Sequence, residues 1–219
     1  MNTNVTTSSR RIVINSVLRN TYQLLSATLL FSGLMAYLSM SLNLPHFGLL
    51  ITLVGYFGLL FLVTRLRNSA FGILAVFALT GFMGLTLGPV IGAYTTAFSN
   101  GSELVAMAMS GTGIIFLTLS FYAIASGRDF NFMSGFLTAG IVVAFLAGIG
   151  AILFSIPALS LAVSAAFILL MSGLILFETS NIIHGGETNY IMATVTLFIS
   201  IYNLFLSLLH LLGIFSGDD

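Results

Sequence analysis

Residues 132–154 read FMSGFLTAGIVVAFLAGIGAILF, and no charged side chain occurs among them. An apolar run of about 20 residues is long enough to cross the hydrocarbon core of a bilayer as a helix. The run is continuous, whereas a strand of a membrane β-barrel alternates apolar and polar residues. The stretch therefore predicts a membrane-spanning helix.

The chain contains further apolar stretches of this kind, at 22–42, 47–64, 70–92, 104–125, 159–183 and 191–214. Clusters of polar, Gly or Pro residues separate them, and the longest predicted loop runs from Tyr94 to Glu103. The pattern predicts an all-α integral membrane protein, a bundle of seven transmembrane helices. We expect a polar N-terminal tail at 1–20, the seven-helix domain at 21–215 and a short C-terminal tail at 216–219.

The composition supports a membrane protein and excludes several other classes. Hydrophobic residues make up 58% of the 219 positions and charged residues 5%, where a soluble domain has about 25% charged residues. Six acidic and six basic side chains cannot cover a soluble fold, and a net charge of zero gives no electrostatic footprint for nucleic acid. The lipid bilayer is thus the first expected partner, and a soluble enzyme or a nucleic-acid binder is excluded.

The basic residues indicate an orientation. All six are arginines, at positions 10, 11, 19, 65, 67 and 128. With seven spans, these positions all fall on the side of the N-terminus, so the positive-inside rule predicts a cytoplasmic N-terminus and an external C-terminus. The first apolar stretch is too long for the core of a signal peptide, and we interpret it as an uncleaved first span.

Small residues at a spacing of four occur in two spans. Gly84 and Gly88 lie in the third span, and Gly140, Ala144 and Gly148 in the fifth. Such spacings let helix backbones approach closely in a membrane. In a chain with 22 glycines they also arise by chance, so both interpretations stay open.

Glu178 is the one acidic residue inside a predicted span. A carboxylate at bilayer depth is costly unless it is protonated, paired with a cation or hydrated. It is therefore either a proton or cation site or a neutral carboxyl group hydrogen-bonded to a neighbouring helix. Arg65 and Arg67, at the inner end of the second span, are candidate ion-pair partners for Glu178, or ordinary basic flanks of that span.

Polar residues recur along one face of the last span. They are Thr196, Ser200, Asn203, Ser207 and His210, and they fall within an arc of roughly 80°. A polar stripe of this length should not face lipid. It predicts either a candidate polar core, with Ser200, Asn203 and His210 lining a wet crevice beside Glu178, or a set of interhelical hydrogen bonds.

No enzyme signature accompanies these groups. The sequence lacks HExxH, GxSxG and Walker motifs, and no motif supports a Ser–His dyad of the rhomboid kind. His184 and Glu187 are too few to hold zinc, and the absence of cysteine removes thiolate ligands. We therefore predict no catalytic residues, no metal site, no bound cofactor and no enzymatic activity.

Two segments near the C-terminus carry a family resemblance. Residues 177–190, FETSNIIHGGETNY, resemble the end of the sixth span of the Bax inhibitor-1 family, also called the transmembrane Bax inhibitor motif family. Residues 201–205, IYNLF, and 211–215, LLGIF, resemble its last span. Three shorter stretches extend the similarity over nearly the whole chain: LRNTY at 18–22, LVG at 53–55 and TGF at 80–82.

The resemblance implies a seven-helix bundle with the last helix near its centre. It also implies a bacterial inner-membrane protein that negatively modulates the membrane AAA protease FtsH, so the external C-terminus predicted from the arginines would be periplasmic. Other members of the family resemble pH-sensitive calcium leak channels. In those proteins an acidic pair from spans six and seven gates the pore, assisted by an Arg at the end of span two.

The acidic pair carries over only in part. Glu178 matches the acid of span six, but Ser200 stands where the acid of span seven would be and cannot ionise. Without two coupled carboxyl groups the shared-proton sensor is lost. Either Arg65 or Arg67 could match the family arginine. We therefore favour a non-enzymatic modulator of an FtsH-type protease, with a leak for Ca²⁺, protons or other cations as the alternative and a purely structural scaffold as a third hypothesis.

Overall fold

A computed structural model describes the backbone of residues 3–216 and the side chains of residues 14–216. The chain is 87% helical, and no strand occurs in the described residues. In chain order the elements are α1 (Thr3–Ser41), α2 (Gly48–Leu66), α3 (Phe71–Ala97), α4 (Gly101–Ser126), a short 3-10 helix (Asn131–Met133), α5 (Ser134–Leu153), α6 (Pro157–Ile183) and α7 (Tyr190–Ser216).

Within residues 3–216, seven helices are long and apolar enough to cross a membrane. Each corresponds to one predicted stretch, so the predicted all-α membrane architecture is confirmed. The largest difference lies at the first span, where the apolar segment begins at Ile14 within a helix that already starts at Thr3. Helical hydrogen bonds are local and need no apolar side chains, so α1 continues through the polar residues that precede the bilayer segment.

The predicted long loop from Tyr94 to Glu103 is wrong. Helix α3 continues to Ala97 and α4 begins at Gly101, which leaves three residues between them. The turn is tight, and the Gly101 N–H donates a hydrogen bond to the Phe98 carbonyl across it at 3.1 Å. A Cβ atom at Gly101 would collide with the Tyr94 carbonyl, so the turn requires glycine at this position.

The chain divides into two compact units, which we describe separately. The first consists of Met1–Ala93 and Ile182–Phe198, and the second of Tyr94–Asn181 and Ile199–Asp219. Half of the apolar window of α7 is buried, the largest share among the seven helices, whereas the share in α2 is 6%. The burial of α7 agrees with the prediction that the last helix lies near the centre.

In the first unit, α1 and α3 pack against each other through the predicted Gly84–Gly88 face. A Cβ atom at Gly84 would collide with the Ser32 carbonyl, and one at Gly88 would lie 2.7 Å from the Ala36 carbonyl. The glycines therefore bring the two backbones into contact, as expected for small residues at this spacing. Gly84 faces Ser32 and Gly88 faces Ala36, so the contacting positions advance in the same direction along both helices and α1 is parallel to α3.

In the second unit, the Gly140–Gly148 face of α5 packs against α6. A Cβ atom at Gly140 would lie 2.6 Å from the end of the Leu170 side chain. At Gly148 the distance to Val163 Cγ1 would be 3.5 Å, an ordinary van der Waals contact. Both predicted small-residue faces are thus helix-packing faces, but only the α1–α3 face brings backbone against backbone.

Pro89 lies inside α3 and leaves one backbone carbonyl of that helix without its usual donor. Because proline has no N–H, the Leu85 carbonyl cannot receive the usual i to i−4 hydrogen bond. The Ser39 hydroxyl of α1 donates to this carbonyl at 2.8 Å. Ser39 fits there because residue 88 is glycine: a Cβ atom at this position would lie only 2.5 Å from the Ser39 Cβ. A neighbouring helix thus satisfies the carbonyl that proline exposes.

Candidate functional site

The segment that carries the family resemblance begins as the last turns of α6 and ends as the first turn of α7. Gly185 ends α6 in a left-handed conformation, with φ +75°, and its N–H donates to the Ile182 carbonyl at 3.0 Å. Asn189 caps the start of α7, because its Oδ1 accepts hydrogen bonds from the N–H groups of Ile191 at 3.0 Å and Met192 at 3.1 Å. Glycine and asparagine at these positions therefore define the turn.

Asn189 also attaches this turn to the loop between α2 and α3. Its Nδ2 donates to the Arg67 carbonyl at 3.0 Å and to Asn68 Oδ1 at 2.9 Å. Glu187, considered above as a metal ligand, accepts a hydrogen bond from the Asn189 N–H at 2.6 Å through its Oε1. The carboxylate of Glu187 thus orders the turn, and one side chain, Asn189, joins two loops of the first unit.

Ser180 has a comparable role in the second unit. Its hydroxyl donates to the Arg128 carbonyl at 2.9 Å and accepts from the Phe130 N–H at 3.2 Å. It is almost fully buried, so these hydrogen bonds replace water for two backbone groups of the loop between α4 and α5. Residues 177–190 therefore hold one loop in each unit: Asn189 holds the loop after α2, and Ser180 holds the loop after α4.

Glu178 and Ser200 both lie in the second unit, and both are buried. Glu178 is 5% exposed and Ser200 is fully buried. Each takes part in at least one polar interaction. A buried carboxyl group that makes a polar interaction fits both hypotheses raised for Glu178, a proton or cation site and a neutral hydrogen-bonded group.

The relative height of Glu178 and Ser200 follows from the contact between α6 and α7 at the other end. Ser164 Oγ and His210 Nδ1 are 2.7 Å apart and form a hydrogen bond between the two helices. A loop of six residues, 184–189, connects α6 to α7, so the helices run antiparallel. Counting at about 1.5 Å per residue from this pair, Glu178 and Ser200 lie at heights that differ by about 6 Å, roughly one turn.

The Ser164–His210 pair has the hydrogen bond of a Ser–His dyad but not the rest of an active site. Ser164 is 8% exposed and lies within α6, seven residues after its start. Backbone N–H groups in a helix interior are engaged in the helix and cannot form an oxyanion hole. The hydrogen bond fits the interpretation of the polar stripe as interhelical contacts, with His210 as an anchor.

The remaining predicted site residues are placed differently. Asn203 is half-buried, and its Nδ2 donates to the Ile199 carbonyl of its own helix at 2.9 Å. Arg65 and Arg67 are exposed at the end of α2, in the first unit. The structure thus brings His210 to Ser164, and residue counting from that pair gives Glu178 and Ser200 heights that differ by about one turn. A pairing of Arg65 or Arg67 with Glu178 stays a prediction.

Of the polar residues whose contacts are described above, the sequence analysis missed Ser39, Ser164, Ser180 and Asn189. Asn189 carried a signal, because Asn directly before an apolar helical stretch is a typical N-cap. Pro89 gave an indirect signal for Ser39, since a proline within a span implies a donor elsewhere. The partners of Ser180 are backbone groups about 50 positions away in the chain, and no local pattern indicates them.

Comparison with known proteins places the chain in a family. The family model described as "Inhibitor of apoptosis-promoting Bax1" matches residues 14–217. The chain is 51% identical over 204 residues to the modulator of FtsH protease YccA of Escherichia coli (strain K12), with 93% of this chain and 92% of that protein covered.

A second relative is the inner membrane protein YccA of Escherichia coli O6:H1, with the same identity and coverage. A membrane protein of Vibrio cholerae is 40% identical over 220 residues, which cover 100% of this chain and 98% of the relative. The match to the family model extends through all seven apolar helices and includes both Ser180 and Asn189. The chain belongs to the Bax inhibitor-1 family.

Proposed function

We propose that this protein is a non-enzymatic, multi-pass inner-membrane protein that negatively modulates an FtsH-type membrane AAA protease. The observation that carries the proposal is the 51% identity to the modulator of FtsH protease YccA over nearly the full length of both chains. The proposed orientation has a cytoplasmic N-terminus and a periplasmic C-terminus, and it rests on the placement of the six arginines.

The architecture suits a regulator that occupies a protease and yields to it slowly. Helix α1 starts at Thr3, well before the apolar segment that begins at Ile14, so a polar stretch precedes the bilayer. In the proposed orientation this stretch faces the cytoplasmic ATPase. The seven spans that follow resist extraction because every apolar side chain would have to leave the lipid. A segment that engages and a body that resists would together keep the protease occupied.

The first experiment is affinity purification of the full chain from native membranes in mild detergent, followed by mass spectrometry of its partners. We expect a membrane AAA protease in near-stoichiometric amounts. A seven-span membrane protein of unrelated family, expressed at the same level, is the control for nonspecific capture. Recovery of this chain without any such protease would contradict the proposal.

The second experiment addresses the N-terminal segment. Deletion of residues 2–13 leaves the apolar span from Ile14 intact and removes the polar stretch before it. If the ATPase engages this stretch, the truncated chain should have a longer half-life in cells that contain the active protease. Unchanged turnover of the truncated chain would rule out engagement at the N-terminus.

A further inference from the structure

The contact between α1 and α3 differs from the other helix contacts described above in two ways. It brings backbone against backbone at Gly84 and Gly88, and it contains a hydrogen bond between the helices to a carbonyl that has no donor in its own helix. We call it the α1–α3 clamp. Its members are Ser32, Ala36 and Ser39 on α1, and Gly84, Leu85 and Gly88 on α3.

We propose that the α1–α3 clamp prevents α1 from being drawn out of the membrane by its own N-terminal segment, and that it sets the rate at which an FtsH-type protease degrades the chain. This inference rests on the proposed function. It adds the element that makes the chain a slow substrate, which neither the family match nor the relatives specify.

The first argument is the direction of the load. Helix α1 is continuous from Thr3 to Ser41, so no flexible joint separates the N-terminal segment from the clamp. A pull on the N-terminus therefore acts along the axis of α1 and shears it against α3. Because all contacts of the clamp join α1 to α3 along this axis, every one of them opposes the same displacement.

The second argument is the fit of the two surfaces. The Ser32 carbonyl and the Met35 Cβ both approach Gly84, the latter at 3.0 Å from where a Cβ atom would lie. Ser39 is seated at Gly88 in the same way. A shift of α1 by one turn towards its N-terminus, about 5.4 Å, would bring Ala36 onto Gly84 but would move the Ser32 backbone from Gly84 to the level of Thr80, which has a side chain. Sliding thus requires the helices to separate first.

The third argument is the environment of the hydrogen bond. The Ser39 side chain is fully buried, and the carbonyl of Leu85 lacks the helical donor because of Pro89. In a bilayer no water is present to replace the hydroxyl when the helices separate. Separation of the two helices therefore leaves the Leu85 carbonyl without a hydrogen bond, and this cost slows the first step of extraction.

The test measures the half-life of the full chain by pulse–chase in cells with the active protease and in cells with an ATPase-inactive one. Ser39→Ala removes the hydrogen bond, and Gly88→Ala forces the helices apart. Their controls are Ser41→Ala, an exposed serine bonded within its own helix, and Gly92→Ala, where a Cβ atom meets nothing within 4 Å. We expect Ser39→Ala to shorten the half-life by about twofold or more, Gly88→Ala by a larger factor, and neither control to change it.

Deletion of residues 2–13 separates extraction from general destabilisation. In the truncated chain the effects of Ser39→Ala and Gly88→Ala should disappear, because the pull on α1 is gone. If the variants still shorten the half-life there, the clamp is only a stability element and the inference is wrong.

If the variants turn over like their controls while the wild-type chain still co-purifies with the protease and is degraded by it, the clamp is overturned and the proposed function stands. If the wild-type chain neither binds the protease nor depends on it for turnover, both fail.

Discussion

The Ser39 hydroxyl supplies the hydrogen bond that the Leu85 carbonyl lacks because of Pro89, and the contribution of this bond to stability can be measured. Ser39→Ala should lower the free energy of unfolding by about 0.6 kcal/mol, and by no more than about 1.7, the range for hydrogen bonds between membrane helices. In a Pro89→Ala background the loss should fall towards zero, because the residue at 89 then supplies an N–H to Leu85. Unfolding in mixed micelles with increasing SDS measures all four chains of this cycle.

An equal loss from Ser39→Ala with and without Pro89 would contradict this account. It would mean that Ser39 acts by packing alone. Ser26, an exposed serine whose hydroxyl bonds to the Tyr22 carbonyl of the same helix, provides the control, and Ser26→Ala should be close to neutral in both backgrounds.

Glu178 allows a second test at the same scale. If the carboxyl group acts as a neutral hydrogen-bonding group, Glu178→Gln should fold and bind the protease like the wild type, because the amide keeps donor and acceptor. Calcium flux into liposomes that contain the protein should also be unchanged, since Ser200 cannot form a two-acid sensor with Glu178. A flux that is present in the wild type and altered in Glu178→Gln would favour the cation-leak hypothesis.

The sequence indicated some of the site residues but not their partners. The polar stripe of the last span and the lone acid of the sixth are visible because periodicity and bilayer depth are local properties. The structure places Ser200 and Glu178 in the interior, as these patterns suggest. The bond between Ser164 and His210 joins residues 46 positions apart, and their pairing depends on the register of two helices, which composition does not specify.

At the scale of the elements, the turn between α6 and α7 depends on Asn189. Asn189→Ala removes the cap of α7 and both contacts to the loop after α2, so we expect a loss of about 1 to 2 kcal/mol in the free energy of unfolding. The amide hydrogens of Ile191 and Met192 should exchange faster, because their acceptor is gone. Thr188→Ala, at the exposed neighbouring position, is the matched control.

Hydrogen exchange at Ile191 and Met192 is the decisive observation. If exchange stays at the wild-type rate in Asn189→Ala while the stability falls, the residue acts through Arg67 and Asn68 only. That outcome would mean that the first N–H groups of α7 do not need the Asn189 side chain for their protection.

The spans were predictable because a bilayer imposes a minimum length and a low charge on each of them. The ends of the helices were less so. Helix α1 extends to Thr3 and the turn at Gly101 is tight, since backbone hydrogen bonds form wherever sterics allow them, whatever the polarity of the side chains. The small-residue faces illustrate the same limit: the spacing predicts a contact, but only the structure shows that α1 fills one and α6 the other.

For the whole molecule, the orientation in the membrane remains a prediction, and the absence of cysteine makes it simple to test. Ser99→Cys lies in the exposed turn between α3 and α4, and Thr188→Cys in the exposed turn between α6 and α7. A membrane-impermeant maleimide should label Ser99→Cys in spheroplasts and Thr188→Cys only after permeabilisation. Labelling in the opposite order would place the N-terminus outside and remove the access of a cytoplasmic ATPase to it.

The parallel packing of α1 and α3 also has a consequence for biosynthesis. Two parallel spans cannot form a hairpin, so α2 must first return the chain across the bilayer, and α2 itself buries little surface. Between the synthesis of Ser39 and that of Gly88 the ribosome adds 49 residues, which takes about 2 to 10 s. During that interval the first helix has no partner for its buried serines, and an insertase or chaperone that shelters polar groups in the membrane would act on this protein then.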